Sequence, residues 1–362
     1  MSSNKIRVGI LFGGKSAEHE ISIQSAKNIY HALDKSKYEP VLMAIDKSGK
    51  WVSHKDAMWL LDQQAVLPNL NLTELREVAL NPQSGGVISG FGPEAIKLDV
   101  VFPILHGPFG EDGTVQGLLK LANIPFVGAG VLGSAVGMDK DVMKRLLRDA
   151  GIPIGNFISI QGMENAPNFM EVQTKLGTPL FIKPANLGSS VGISKASTEN
   201  EYQAALQLAF QFDTKVIVEE FIQAREIECA VLGNQHPIAS IPGEVVAQKD
   251  FYSYEAKYLD AQGARIDIPA KLDSDTIARV RDLAVKSFKV LCCEGLGRVD
   301  LFLTPDNRLL VNEINTLPGF TKISMYPNMW EYSGIPYSEL LDRLIGLAIE
   351  RFERESQLKT SF

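Results

Sequence analysis

Residues 6–12 (IRVGILF) form an unbroken apolar run that stops at Gly13-Gly14. A run this short, closed by glycines, reads as a strand covered on both faces and followed by a tight loop. A helix is expected over about 20–33. Residues 39–45 (EPVLMAI) and 98–105 (LDVVFPIL) read as further buried strands, 113–122 as a helix and 124–128 (IPFVG) as another strand. Strands alternating with helices imply a doubly wound parallel sheet. Residues 62–94 show no clear period.

Beyond this the pattern turns to mixed α+β. Apolar positions 142, 143, 146, 147 and 150 predict a helix over 139–150, closed by Gly151. Residues 179–184 (PLFIKP) read as a strand and 185–192 (ANLGSSVG) as a small-residue loop. Thr198 and Glu201 have capping-box spacing at the start of a helix to 210. Strands over 215–221 and 226–232, an amphipathic helix over 273–291, strands over 297–303 and 308–314, and a helix over 337–353 complete the reading. The division expected is an α/β unit over 1–130, a small α+β unit over 131–217 and a third over 218–362.

A net charge of −7 speaks against nucleic acid as a partner, since phosphate-backbone binding needs a basic face. No stretch has the length and apolarity of a membrane span or a signal peptide, so a cytoplasmic location and no membrane partner are expected. Cys229, Cys292 and Cys293 form no disulfide framework and read as buried structural thiols.

The most specific chemistry lies near the end of the chain. One strand reads Gly297-Arg298-Val299-Asp300-Leu301-Phe302 and its partner Leu310-Val311-Asn312-Glu313-Ile314-Asn315. Side chains alternate faces, so Arg298 and Asp300 share one face, as do Glu313 and Asn315. If the register places Asp300 and Glu313 together, two carboxylates and an amide oxygen make a hard-oxygen site suited to Mg²⁺ and phosphates. Arg298 adds a planar fork of donors for phosphoryl oxygens.

Lys183 ends an apolar strand and precedes Asn186-Leu187-Gly188-Ser189-Ser190-Val191-Gly192, a loop whose N–H groups and hydroxyls can cradle phosphate. The lysine comes before the glycines, which differs from a Walker loop. Lys140 offers a second cation. The strand Val216–Ile222 could present an adenine edge, and Glu226 could accept from ribose hydroxyls. Gly13-Gly14 lacks the third spaced glycine of a dinucleotide site, which argues against nicotinamide binding.

Taken together, GGKSAEHEIS (13–22), LHGPFGEDG (105–113), GMDK (137–140), IKPANLGSSVG (182–192), FYSYEAKY (251–258), GRVD (297–300), NEINTLPGFT (312–321) and SMYP (324–327) resemble the ATP-grasp superfamily and, within it, the D-alanine–D-alanine ligase family. The resemblance covers essentially the whole chain. It implies a three-domain ATP-grasp fold, and phosphorylation of one D-alanine by ATP followed by attack of a second D-alanine on the acyl phosphate. It implies that Glu18 holds the first ammonium, helped by His106. Glu18, Ser189 and Tyr258 form a hydrogen-bonded triad, and Lys257, Ser324 and Met325 meet the second substrate. Arg298 and the Gly319 N–H stabilise the oxyanion. Lys140, Lys183 and Ser190 hold phosphates, and Glu219, Phe221, Ile222 and Glu226 the adenosine. Asp300, Glu313 and Asn315 hold two Mg²⁺ ions, with Mn²⁺ as a substitute. The resemblance further implies a homodimer and a lid over 249–264.

Two positions depart from the family pattern. Phe221 stands where relatives often carry tryptophan, and Met325 where some carry leucine. The nearest rival readings are a D-alanine–D-lactate or D-alanine–D-serine ligase and a non-catalytic nucleotide-binding regulator. Lys257 and Tyr258 favour the dipeptide, and the intact metal carboxylates argue against a regulator.

Overall fold

The computed structural model describes residues 5–52, 61, 78–80, 85–89, 95–189, 191–247 and 264–359. Ser190, Lys257, Tyr258 and the expected lid lie outside them, apart from Ala264.

The N-terminal part contains β1 (Ile6–Gly13), α1 (His19–Ala32), β2 (Tyr38–Ile45), β3 (Trp51–Val52), β4 (Ala79–Leu80), β5 (Val87–Ser89), β6 (Ile96–Lys97), β7 (Val100–Ile104) and α2 (Thr114–Leu121). β1 pairs in parallel with β2 and with β7, in the sheet order β3-β2-β1-β7. Its side chains are buried on both faces, as the apolar run requires. Ile10 and Phe12 pack with Ala26 and Ile29 of α1, and Leu11 packs on the other face with Val115 and Leu119 of α2.

Two expectations here need correction. The sheet is not wholly parallel, because β3 returns antiparallel to β2. The turn before it is built by Asp46, whose Oδ1 accepts from the Ser48 and Lys50 amides at 2.8 Å each, with Gly49 at φ +93°. Residues 124–128 form no named strand, only a parallel bridge between Val101 and Phe126. Pro125 has no N–H to give, and Gly128 at φ +101° turns the chain away.

Next come α3 (Val131–Met138), α4 (Lys140–Asp149), β8 (Phe157–Gln161), α5 (Phe169–Leu176), β9 (Leu180–Pro184), β10 (Ser194–Ala196), α6 (Glu199–Ala209) and β11 (Lys215–Glu220). Their sheet is antiparallel, ordered β10-β9-β11-β8. The capping box at Thr198 and Glu201 forms as expected. The expected unit boundary at 217/218 falls inside β11. α3 and α5 were not foreseen; α3 is rich in glycine and small residues, which mask its period.

The rest comprises β12 (Arg225–Gly233), β13 (Ile238–Ala239), β14 (Gly243–Ala247), β15 (Ala264–Asp267), α7 (Ser274–Val290), β16 (Gly295–Leu303), β17 (Leu309–Asn315), α8 (Met325–Tyr332) and α9 (Tyr337–Ser356). The main path of this sheet is β15-β14-β12-β16-β17. One face packs on α7 through Val280, Ala284 and Phe288. α9 does not belong to this sheet alone. Leu340, Leu341, Leu344 and Ile345 share one hydrophobic cluster with Ile10 and Phe102 of the N-terminal sheet and Leu296 of β16.

Cys229 and Cys293 are buried, and burial pushes the Cys229 thiol up to about 12. Cys292 is exposed, contrary to expectation. Among the described residues, no helix is long and apolar enough to cross a membrane.

Candidate functional site

The register that the sequence left open places Asp300 directly opposite Glu313, and Arg298 opposite Asn315. Directly paired residues on an antiparallel ladder have side-chain roots about 5 Å apart. A bulge after Asp300 then shifts the ladder. On its other side β16 pairs with β12, and there Glu228 faces Asp300. Three carboxylates thus stand in a row across three strands, a fact invisible when the hairpin is read alone. Arg298 offsets part of that charge. Its Nε and Nη2 donate to Asp300 Oδ1 and Oδ2, both at 2.7 Å, and its Nε lies 2.9 Å from Glu228 Oε2. Burial opposes the guanidinium charge, but Asp300, Glu228 and Glu313 outweigh it and raise the pKa above its ordinary value.

A second ionic cluster lies on the antiparallel sheet. Glu219 Oε1 is 2.6 Å from Lys144 Nζ, and Oε2 is 2.5 Å from Lys183 Nζ. Burial would raise the Glu219 pKa, yet the two ammonium groups lower it to about 2. Burial likewise disfavours charged Lys183, and Glu219, Glu313 and Glu226 reverse the effect, raising its pKa. Lys144 was not singled out from sequence; its signal was the four-residue spacing after Lys140, which puts both on one side of α4.

Lys140 reaches the carboxylate row from another element. It opens α4, whose N-cap Asp139 accepts from the amides of Asp141 and Val142. Its Nζ donates to the Leu187 carbonyl at 2.6 Å and lies 3.6 Å from Glu313 Oε2. The small-residue loop is therefore tied to the carboxylate strand. Within that loop Ser189 holds φ +54°, a left-handed conformation that a non-glycine residue adopts at some energetic expense. Phe221 is 45% exposed and lies 6.2 Å, centroid to centroid, from Phe181, an open aromatic surface beside Lys183. Ile222 touches the Gly155 region, and Glu226 is exposed on β12.

Glu18 marks the third corner. It is the N-cap position of α1, yet its side chain does not cap the helix. Its Oε2 would lie 3.5 Å from a Cβ on Gly107 and 3.9 Å from one on Gly188, so it is in reach of both glycine loops. His106 is buried, with Nδ1 3.0 Å from the Leu317 carbonyl and, among the described residues, no hydrogen-bond partner at Nε2. Burial lowers the His106 pKa, but Glu111, Glu18 and the Leu317 carbonyl together raise it. Glu111, also missed from sequence, takes the Gly107 amide at 2.9 Å; burial raises its pKa. The His106 contact ties this corner to the loop that follows Asn315.

A Cβ on Gly319 would meet Ser324 Oγ at 2.9 Å, so these two expected residues adjoin. Ser324 Oγ accepts from the Thr321 amide. Met325 is buried and belongs to the core cluster. The described part of the candidate set thus gathers around Glu18, the 185–192 loop and the β12–β16–β17 carboxylates.

The donor set fits a hard divalent cation. Asp300 and Glu313 face each other with the Asn315 amide two residues along, while among the described residues no group of three His, Cys, Asp or Glu is already gathered as ligands. Mg²⁺ needs only one or two carboxylates when phosphates complete its shell.

Comparison with known proteins agrees with this arrangement. A model described as the D-ala D-ala ligase N-terminus matches residues 7–129, and one described as the D-ala D-ala ligase C-terminus matches 146–346. A D-alanine–D-alanine ligase of Oceanobacillus iheyensis is 52% identical, over 99% of both chains. D-alanine–D-alanine ligase A of Escherichia coli K12 is 51% identical, again over 99% of both. Among solved structures, a D-alanine-D-alanine ligase from Coxiella burnetii aligns with TM-score 0.86 and 40% identity, covering 98% of this chain and 97% of that one. The VanG D-Ala:D-Ser ligase of Enterococcus faecalis aligns with TM-score 0.84 and 37% identity, covering 95% and 100%. Matched over most of its length by both halves of one family, the chain belongs to the D-alanine–D-alanine ligase family.

Proposed function

We propose that the protein joins two D-alanine molecules into D-alanyl-D-alanine for peptidoglycan synthesis, consuming ATP. The observation that carries this reading is the Lys140 bridge, which ties the 185–192 loop to Glu313 at the level of Asp300 and Arg298. A γ-phosphate cradled by that loop then lies beside Arg298 and beside the carboxylates that would hold a cation against it.

In this reading Glu18 pairs with the ammonium of the first D-alanine, and His106 orients it from the adjoining loop. A carboxylate oxygen of that substrate attacks the γ-phosphorus and ADP leaves, giving D-alanyl phosphate. The amine of the second D-alanine attacks the acyl carbon, and the proton it loses leaves with the departing phosphate. The tetrahedral oxyanion takes donors from Arg298 and the Gly319 N–H. Collapse expels phosphate and leaves the peptide bond. Removing one oxyanion donor lowers turnover by about 10²–10³. Lys140, Lys183 and Ser190 hold phosphates, while Glu219, Phe221, Ile222 and Glu226 hold the adenosine. Phe221 keeps a flat apolar face where relatives often carry tryptophan. Asp300, Glu313 and Asn315 would hold two Mg²⁺ ions, or Mn²⁺, whose charge would offset that of the phosphoryl oxygens. Ser189, Ser324, Met325, Lys257 and Tyr258 keep the roles the resemblance gives them, as do the 249–264 lid, the three-unit division, the homodimer and the cytoplasmic location.

The test is phosphate release by the purified protein with ATP and Mg²⁺, products being identified by mass. D-alanine alone is expected to suffice and to yield D-alanyl-D-alanine. A requirement for D-serine or D-lactate would move the protein to the rival specificity, for which the VanG neighbour is the precedent. No release under any of these conditions would leave only the nucleotide-binding regulator.

A further inference from the structure

Glu228 is the one carboxylate of the three-strand row with no assigned task. It is largely buried, its side chain 12% exposed, and it faces Asp300 across β12 and β16. Burying a carboxylate costs several kcal/mol unless it is paired, so its place beside a phosphate-handling site needs a reason. The reason lies in Arg298. That side chain is shared: two directed hydrogen bonds go to Asp300, and an ion pair at 2.9 Å goes to Glu228.

This sharing creates a competition. Both Asp300 oxygens that would meet a metal ion are engaged by Arg298. A cation at Asp300 and Glu313 competes with the guanidinium for the charge of Asp300 and loosens that fork, so a second acceptor helps to keep Arg298 in place. Glu228 is that acceptor, already in contact and on the side of β16 away from Glu313.

We propose that Glu228 is a positioning residue that holds Arg298 in place when Asp300 turns to the metal. It thereby lowers the cost of metal binding and keeps the guanidinium aimed at the reacting group. The idea rests on the reading of Asp300 and Glu313 as metal ligands. Glu228 itself touches neither substrate nor metal; it acts through Arg298.

The test titrates Mg²⁺ calorimetrically into protein saturated with AMP-PNP, a non-hydrolysable ATP analogue. The variants are wild type, Glu228→Gln, Arg298→Met and the double variant. Glu228→Gln keeps the shape and removes the charge. It is expected to weaken Mg²⁺ binding about fivefold or more, the size of coupling common between contacting groups. It is also expected to lower kcat with little change in the KM for ATP. In the Arg298→Met background the effect of Glu228→Gln on Mg²⁺ should vanish, because nothing remains for Glu228 to hold. Unchanged Mg²⁺ affinity in Glu228→Gln would overturn the proposal. So would an equal loss in both backgrounds, which would make Glu228 a direct source of field. If Arg298→Met does not fold, Arg298→Lys replaces it, since a lysine cannot make the same fork. Wild-type protein showing no Mg²⁺-dependent heat would sink the metal reading itself, with the proposal, and so separates the two failures.

Discussion

Glu219 shows what a single side chain contributes here. Its pKa is lowered to about 2 although burial alone would raise it, because Lys144 and Lys183 flank it. An unfolded glutamate titrates near 4.3, about two units higher. A depressed acid stabilises the fold fully above its unfolded pKa and loses that contribution as pH falls through the folded one. Glu219→Gln should therefore lower the melting temperature markedly at pH 7, breaking a buried pair being worth about 3–5 kcal/mol. The gap from wild type should close as pH falls from about 4.5 toward 2. A gap that stays constant down to pH 3 would show that the carboxylate charge is not what Gln removes. The same residue is read as part of the adenosine site, so binding and folding draw on one ion cluster.

At the scale of elements, α6 is the cleanest case of sequence specifying structure. Thr198 and Glu201 close the capping box, with the Glu201 carboxylate taking the Thr198 amide at 3.1 Å. Thr198→Ala is expected to lower stability by about 1 kcal/mol, read as a shift in urea midpoint, and to leave phosphate release unchanged. A shift indistinguishable from zero would mean the cap is redundant. Local rules of this kind also made β1, α4 and the β16–β17 hairpin legible. They failed where meaning depends on a third element. Alternation put Arg298 and Asp300 on one face, but no pattern within 297–315 reveals that β12 supplies Glu228 on the same face. Lys144 was overlooked for the same reason, since its partner Glu219 lies on another element. The 124–128 stretch shows the converse. Its apolar residues are buried as a strand's would be, but its proline and glycine confine it to one bridge. The Glu18, His106 and Gly319 assignments owe nothing to periodicity; they were legible only through the resemblance.

For the whole molecule, the decisive feature is how far apart in sequence the parts of the largest core are. Phe320 is fully buried, its ring 5.7 Å from that of Phe102 on β7 and 6.0 Å from Tyr337 at the start of α9. Its amide and carbonyl are bound to α1, by Ser25 Oγ at 3.1 Å and Asn28 Nδ2 at 3.0 Å. Arg351 of α9 donates to the carbonyls of Phe126 and Gly128. One face of the N-terminal sheet is thus roofed in part by residues more than two hundred positions later. A fragment of residues 1–130 is accordingly expected to remain unfolded or to collapse loosely, without dispersed amide signals in a proton–nitrogen correlation spectrum. A sharp, dispersed spectrum would show that the sheet and its own helices suffice.

The consequence is one of timing. On the ribosome the first strand is made early and its last packing partner almost at the end. At about 5–20 residues per second, that interval is tens of seconds. Throughout it, the face of β1 and β7 that α9 will cover is without that cover. The nascent chain must wait for its own tail, and whatever shields that surface meanwhile bears on the yield of the finished protein.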